Sequence, residues 1–520
     1  MLAAGRNKAG IAGAIVGGGL VLLALLGAFA AGTSARQSQR SPHSRFVNAP
    51  CSKTLPPNVK DARCGFLIAP ENHSRPGGRK VRIAVVRIPS VSHHRGAVPI
   101  VYFNGGPGSD ALAVSADLVD AGLNQDHELI VVAQRGTFGS HPLLPCRPID
   151  NFRANSLSLK FSAPSTGRRF ANAGAKCRRR LRKRGINLAD FNTIQNAADM
   201  AALRKALAIK RWDVFSHSYG TELALTYMRL HPKGINSVVL DGTVPPSVAS
   251  LGWTWGSFRE FFSNLLGACR AQKSCHDRYP HTGRTYRRVV NRLEAHPITT
   301  RVKVPDRKRP ANVKIDGGVL VNWLTRQSHF SRTVPLEIDQ LAHGHPRRVA
   351  KQWAGARAAP RAHRGNFGYG LAYGVWCSEW VPFESHRQEL RKAKRAFPGF
   401  PRSVRAQAPQ LAFLQKLCRR WNVPKAPRSI RHVTHSSVPT LAITGTFDAQ
   451  TGAKWGTYAA KTLPNSTVVR LPGVSHGAFA NPCGAKVIQS FFNNPKAPDT
   501  KCVSSVHPRR FVIGPPLHGR

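Results

Sequence analysis

The spacing of apolar residues changes character twice along this chain, and the two changes divide it. From Cys64 to Asp241, short apolar runs alternate with segments of helical period. The runs Cys64 to Ile68, Lys80 to Ile88, Val98 to Phe103, Glu128 to Ala133, Val214 to Phe215 and Ile235 to Asp241 predict strands, several of them apolar on both faces. Asn72 to Gly78 reads as a hairpin turn between the first two. Asn192 to Ala208 predicts an amphipathic helix, with Ala197, Met200, Leu203 and Leu207 on one face and Thr193 as N-cap. Between Thr137 and Cys177 the pattern is irregular and basic. From about Pro245 to Arg431, tryptophans, prolines and helical spacing replace the strand–helix rhythm. The rhythm then returns. Val438 to Thr444 and Ser466 to Leu471 predict strands, with helices at Lys454 to Lys461 and near Ala485 to Phe492.

Such alternation argues for an α/β fold, a mostly parallel sheet covered on both faces. The middle reads as a large, mainly helical lid inserted over the carboxyl edge of that sheet. The organisation expected is an export segment at 1–35, a flexible tether at 36–50, core at 51–245, lid at 246–431, and core with a disulfide-closed tail at 432–520.

The first segment carries its own signal. Arg6 and Lys8 precede an uncharged run from Ile11 to Ala31, and Ala28-Phe29-Ala30 and Thr33-Ser34-Ala35 resemble cleavage sites. The run approaches the ~20 residues that span a bilayer, so it reads as a signal peptide or an uncleaved anchor. Either way the chain is expected to be exported. Its ten cysteines, Cys51, Cys64, Cys146, Cys177, Cys269, Cys275, Cys377, Cys418, Cys483 and Cys502, then point to disulfides, and their spacing invites pairing of neighbours in that order. No C-x-x-C or zinc spacing occurs, and nothing calls for a metal or cofactor.

Charge adds one expectation. Lys+Arg number 77 against 25 Asp+Glu, a formal net charge of +52. A field of that sign attracts anionic envelope polymers or lipids. The densest run, Arg178 to Arg184, has no interleaved aromatics and belongs to no nucleic-acid module, so no specific nucleic acid is expected.

The candidate chemistry lies just past the predicted strands. Ser216-His217-Ser218-Tyr219-Gly220 reads as strand, tight turn and helix, a nucleophile elbow of the form G-x-S-x-G with Ser216 in place of the first glycine. Asp448 and His476 each follow a later strand. The order Ser218, Asp448, His476 is that of the α/β-hydrolases: a nucleophile, an orienting carboxylate and a general base. Asn104-Gly105-Gly106-Pro107-Gly108 follows a strand and lacks the G-K-[ST] ending of a phosphate loop. Its Gly105–Gly106 region and the N–H of Tyr219 are the candidate oxyanion donors.

Gly105-Gly106-Pro107-Gly108, Gln134-Arg135-Gly136-Thr137 and Ser218-Tyr219-Gly220-Thr221 resemble the H-G-G-P-G, D-Q-R-G and G-x-S-Y-G-T signatures of prolyl-iminopeptidase-like and tripeptidyl-aminopeptidase-like serine peptidases. Gly445-Thr446-Phe447-Asp448, His476-Gly477, Cys483 and Cys502 are similar to the tripeptidyl-aminopeptidase C-terminal region. The resemblance implies an exported exopeptidase that takes one to three residues from a peptide with a free N-terminus. Asn104 in place of His, Ala133 in place of Asp and Ser216 in place of Gly depart from those signatures, and Asn104 and Ala133 count against single-proline specificity. Recognition of a substrate ammonium requires an anion, and Glu222 and Glu379 are the candidates. The rival expectations are a carboxylesterase or lipase of the same fold, and an inactive basic protein of the envelope.

Overall fold

The computed structural model describes residues 44–52, 54–92, 97–305, 307–326, 331–358 and 365–515. The expected export segment at 1–35 lies outside them. Among the described residues no helix is long and apolar enough to cross a membrane.

Nine strands form one sheet: β1 (Arg45–Ala49), β2 (Arg63–Pro70), β3 (Lys80–Ile88), β4 (Ile100–Phe103), β5 (Leu129–Val132), β6 (Trp212–His217), β7 (Ile235–Asp241), β10 (Thr440–Gly445) and β11 (Ser466–Leu471). A separate hairpin, β8 (Ile298–Val302) with β9 (Ala311–Ile315), lies within the insertion. The spatial order of the sheet is β1-β2-β3-β5-β4-β6-β7-β10-β11. The first three strands run antiparallel to their neighbours, and β5, β4, β6, β7, β10 and β11 are parallel. Every residue of β4, β5 and β10 is buried, as expected of parallel strands covered on both faces.

The topology determines where a ligand sits. β4 and β6 are neighbours, paired Phe103 to Ser216, yet β4 continues to β5 on one side and β6 to β7 on the other. Such a reversal opens a crevice at the carboxyl ends of the two strands. The pairs His217 to Asp241 and Asp241 to Ile443 bring the ends of β6, β7 and β10 to the same edge.

Three features differ from the sequence reading. Arg45–Ala49, expected in the tether, is edge strand β1, paired with β2 through Ala49 opposite Cys64. The irregular basic stretch contains two helices, Arg147–Asn155 and Pro164–Lys183. Its sparse apolar residues conceal a face of small ones: Ala171, Gly174, Cys177 and Leu181 are all buried. The arginines that follow lie in the last turn, where the helix dipole favours cations. Finally, the helix Thr193–Ala206 is capped by Asn192, whose side chain accepts from the Gln195 N–H at 2.9 Å. Thr193 turns its hydroxyl to Glu379 instead.

The insertion between β7 and β10 has an apolar core of its own around Trp255, Phe258, Leu320, Trp323 and Trp353. Its later part, including Tyr369, Trp380 and Trp421, packs into the cluster around the sheet. All ten cysteines pair as neighbours, Cys51–Cys64, Cys146–Cys177, Cys269–Cys275, Cys377–Cys418 and Cys483–Cys502, with Cα separations of 5.0 to 5.7 Å.

The Gln134-Arg135-Gly136-Thr137 motif fastens this framework. Gln134 Nε2 donates to the Asn104 carbonyl at 2.8 Å. The fully buried Arg135 forms a bidentate pair with Asp199 at 2.7 Å on each arm and donates to the carbonyls of Glu71 and Asp190. It thereby ties the end of β5 to the β2–β3 turn and to the helix Thr193–Ala206. Removing one partner of such a pair strands the other charge, at a cost of about 3–5 kcal/mol. Arg135→Gln is accordingly expected to lower unfolding stability by ~3–5 kcal/mol in urea titration. A loss below ~1 kcal/mol would show that the pair is not a structural anchor.

Candidate active site

Ser218 stands at φ +57°, ψ −125°, between the end of β6 and the helix Tyr219–Leu230. A non-glycine residue held there is strained by ~1–3 kcal/mol and needs its surroundings to fix it. Two close approaches do so. A Cβ on Gly220 would collide with the Phe103 carbonyl, and one on Gly105 would meet Ser218 Cβ at 2.8 Å. The turn is therefore pressed onto the end of β4 with only glycine between them. The departure at Ser216 is absorbed sideways: its buried hydroxyl donates to the Val239 carbonyl of β7 at 2.6 Å.

His476 and Asp448 come together as the sequence order implies. His476 Nδ1 lies 2.8 Å from Asp448 Oδ2, and both side chains are buried. Asp448 also accepts from the N–H groups of Gln450 at 2.7 Å and Thr451 at 2.9 Å, and from the Thr451 hydroxyl at 2.6 Å. Burial opposes charge on this carboxyl, but His476 and these donors outweigh it and hold its pKa below the ordinary aspartate value. For His476, burial again opposes charge, and the Asp448 carboxylate with its hydrogen bond, aided by Asp241, lifts the imidazole above its ordinary value. The ring packs at a tilt of 44° against His217, the neighbour of Ser218, with centroids 4.6 Å apart.

Asp241, read from the sequence only as the end of a strand, joins the two halves. Its carbonyl accepts the Ser218 N–H at 2.9 Å. Its carboxylate accepts the N–H groups of Ala478 at 2.9 Å and Phe479 at 3.0 Å, just past His476. One residue thus positions the backbone at the candidate nucleophile and at the candidate base. Burial pushes its carboxyl up to about 6, against these two donors and His476.

Of the candidate oxyanion donors, Gly105 has its N–H engaged by Asn104 Oδ1 at 2.8 Å, and Asn104 also accepts from the Tyr102 hydroxyl at 3.0 Å. Gly105 therefore contributes space rather than a free donor. Gly106 and Tyr219 both line the cleft beside Ser218. That cleft, about 60 Å³, is otherwise walled by apolar and uncharged side chains, among them Val244, Trp376, Trp380, Leu411 and Trp455. A larger groove of about 570 Å³ in the insertion contains none of the candidate residues.

Glu222 and Glu379 are both buried behind this wall, and neither lines the cleft. Glu222 accepts the Trp380 indole N–H at 3.1 Å on both oxygens. Glu379 accepts from Thr193 N–H at 2.7 Å and Thr193 Oγ1 at 2.6 Å, and Thr193 in turn meets the Tyr219 hydroxyl at 3.0 Å. Burial raises the pKa of each; for Glu222 the negative charge of Glu379 adds to it, while Arg431 offsets part. Among the described residues no cluster of His, Cys, Asp and Glu could hold a metal ion.

The histidine geometry has a direct readout. In a ¹⁵N-edited NMR titration, His476 is expected to titrate above the ordinary histidine value of ~6.5. Asp448→Asn should bring it below that value, because burial then outweighs the remaining pull of Asp241. A midpoint unmoved by the substitution would mean that Asp448 does not set the charge on His476.

A family model described as the alpha/beta hydrolase fold matches residues 98–481. The serine protease Hip1 of Mycobacterium tuberculosis is 28% identical over 239 residues, 44% of this chain and 45% of the relative. A tripeptidyl aminopeptidase of Streptomyces coelicolor is 28% identical over 203 residues, 36% of each chain. A carboxylesterase B of M. tuberculosis is 26% identical over 230 residues, 42% of this chain and 43% of the relative. The matches span less than half the length of these relatives. The strand order, the turn at Ser218 and the family match agree: the chain belongs to the α/β-hydrolase family.

Proposed function

We propose that the protein is a serine hydrolase acting as an aminopeptidase, releasing one to three residues from the free N-terminus of short peptides. The observation that carries the chemistry is the 2.8 Å bond between His476 and Asp448, with the His476 ring packed on His217, the residue before a serine held at positive φ on the strand-to-helix turn. In this reading Ser218 Oγ attacks the scissile carbonyl while His476 Nε2 takes its proton. Asp448 fixes the ring through Nδ1 and stabilises the imidazolium. The N–H groups of Tyr219 and Gly106 receive the oxyanion, where one such donor contributes ~3 kcal/mol to the transition state. His476 then protonates the leaving amine, and water returns the acyl-enzyme to free Ser218 by the same route.

Peptide chemistry is supported by the names of two relatives, a serine protease and a tripeptidyl aminopeptidase. The amine end is assigned to the acidic pair Glu222 and Glu379, which stand behind Trp380 and Tyr219 at the wall of the cleft; an approaching ammonium favours their ionised form. Five disulfides support an exported protein. One observation favours a second reading, an esterase: the small cleft at Ser218 is lined without a charged side chain and suits an uncharged acyl group.

Three measurements separate the readings. A fluorophosphonate probe is expected to label the wild type, and Ser218→Ala should abolish labelling while the circular dichroism spectrum is retained. Labelling that survives the substitution would remove Ser218 from the mechanism. N-acetylation of a peptide substrate should stop its cleavage, and Glu379→Gln should raise KM for free-amine peptides while leaving turnover of a neutral ester unchanged. Cleavage of blocked peptides at the same rate would overturn the aminopeptidase reading, and turnover of esters without peptide cleavage would favour the esterase.

A further inference from the structure

Beside the Ser218 cleft lies a second chamber of about 350 Å³, within the ~300–1,000 Å³ range of small-molecule sites. The two share Gly106, Trp376, Gln410, Leu411 and Gln450 as walls, so the chamber opens next to the candidate oxyanion loop. Three arginines line it: Arg153, Arg326 and Arg357. Each lies in the last turn of a different helix, Arg147–Asn155, Gly317–Arg326 and Arg347–Arg357. Three helix carboxyl ends therefore converge on one cavity.

The hydrogen-bond partners of these arginines are neutral. The buried Arg135 has its carboxylate in Asp199. Among the described residues, none of the three chamber arginines makes an ion pair within 4.0 Å. Arg153 reaches the Tyr369 hydroxyl at 3.5 Å and the Ala356 carbonyl at 3.2 Å. Arg357 donates to the Ser156 hydroxyl at 3.0 Å and lies over the Trp353 and Phe161 rings, 5.3 and 5.5 Å from their centroids. Arg326 is solvent-accessible and has no hydrogen-bond partner among the described residues. Asp150, the nearby acid, accepts from the Tyr369 hydroxyl at 2.8 Å, and its charge favours the Arg153 cation. Burial and the neighbouring Arg153 and Arg326 cations push Arg357 down to about 9. The helix dipoles offset part of that repulsion. The aromatic walls, including Phe161, Trp353, Phe367 and Phe413, keep the dielectric low, which strengthens any charge pairing inside.

We infer that this chamber binds a carboxylate of the substrate, with Arg326 and Arg357 as its donors and Arg153 behind them, so that the enzyme selects short anionic peptides. The inference rests on the aminopeptidase reading and deepens it: the scissile carbonyl lies at Ser218 and the leaving portion extends into the chamber. The carboxylate has two sources, the C-terminus of a short peptide or an acidic side chain. Arginine suits either, because its fork donates two parallel hydrogen bonds to one carboxylate.

The test uses the full-length protein and one set of matched tetrapeptides: free carboxylate, C-terminal carboxamide, and carboxamide with an internal Glu in place of Gln. Each is prepared with a free and with an acetylated N-terminus. Cleavage is read by mass, and each peptide is also titrated as an inhibitor of p-nitrophenyl butyrate hydrolysis, so that the ratios are measured whether or not it is cleaved. Hydrogen bonds to a charged group are worth ~1.5–3 kcal/mol, so amidation is expected to weaken binding about 10–100-fold, chiefly in KM or Ki. Recovery by the internal Glu assigns the site to a side chain, and its absence to the C-terminus. Arg326→Gln should erase the difference between carboxylate and carboxamide, and Arg326→Lys should retain part of it. Unchanged hydrolysis of the neutral ester shows that each variant is folded. Should Arg326→Gln lose the ester activity, Arg326→Lys and the wild-type ratio still decide. Equal binding of carboxylate and carboxamide by the wild type, or a difference that survives Arg326→Gln, overturns the inference. Cleavage of the acetylated series would overturn the aminopeptidase reading alone, because the carboxylate ratio is measured independently in that series.

Discussion

The constraint on which the rest depends is the closeness of two backbones, the turn at Ser218 and the end of β4. With glycine at 220 and 105 the helix Tyr219–Leu230 presses onto the Phe103 carbonyl, and Ser218 is forced to positive φ. That single approach raises the hydroxyl over the sheet edge and brings the Tyr219 N–H and the Gly106 loop to the same side. The supports are secondary to it. Asn104 takes the Gly105 N–H, Gln134 holds the Asn104 carbonyl, and Arg135 anchors the strand that carries Gln134. The motif residues that mark the family are a chain of props that ends at this contact.

Asp241 extends the same logic across the sheet. Its carbonyl holds Ser218 and its carboxylate holds the loop after His476, so the candidate nucleophile and base are referenced to one strand end rather than to two mobile loops. Catalytic geometry tolerates errors well below an ångström, and a shared anchor is an economical way to meet that tolerance. The carboxylates near the site divide by environment. Asp448, with three donors and a histidine, is held ionised, whereas Glu222 and Glu379, buried side by side, are both raised.

Much of this was legible in the sequence because it depends on order and period. Buried parallel strands are continuous apolar runs, and Ser218, Asp448 and His476 each follow one. The neighbour pairing of the cysteines followed their spacing. What escaped depends on contacts between distant segments. Asp241 looked like a strand end because its partners lie more than two hundred residues later. The Gly105–Gly106 region offers two N–H groups to a sequence reading, and the side chain of Asn104 takes that of Gly105. The helix Pro164–Lys183 was hidden because it buries small residues rather than large ones. Arg153, Arg326 and Arg357 are ordinary members of a basic composition until three helix ends bring them to one cavity. A buried strand-end aspartate before glycine, on a strand next to the elbow, is the one signal that sequence reading could have used for Asp241.

The central claim, that the turn at Ser218 presents a nucleophile to donors at Tyr219 and Gly106, is tested most directly by a crystal structure of the phosphonylated protein. The account predicts phosphorus bonded to Ser218 Oγ and the phosphonyl oxygen about 2.7–3.1 Å from both N–H groups, with His476 still on Asp448. Phosphorus on another residue, or a phosphonyl oxygen turned away from both donors, would contradict it.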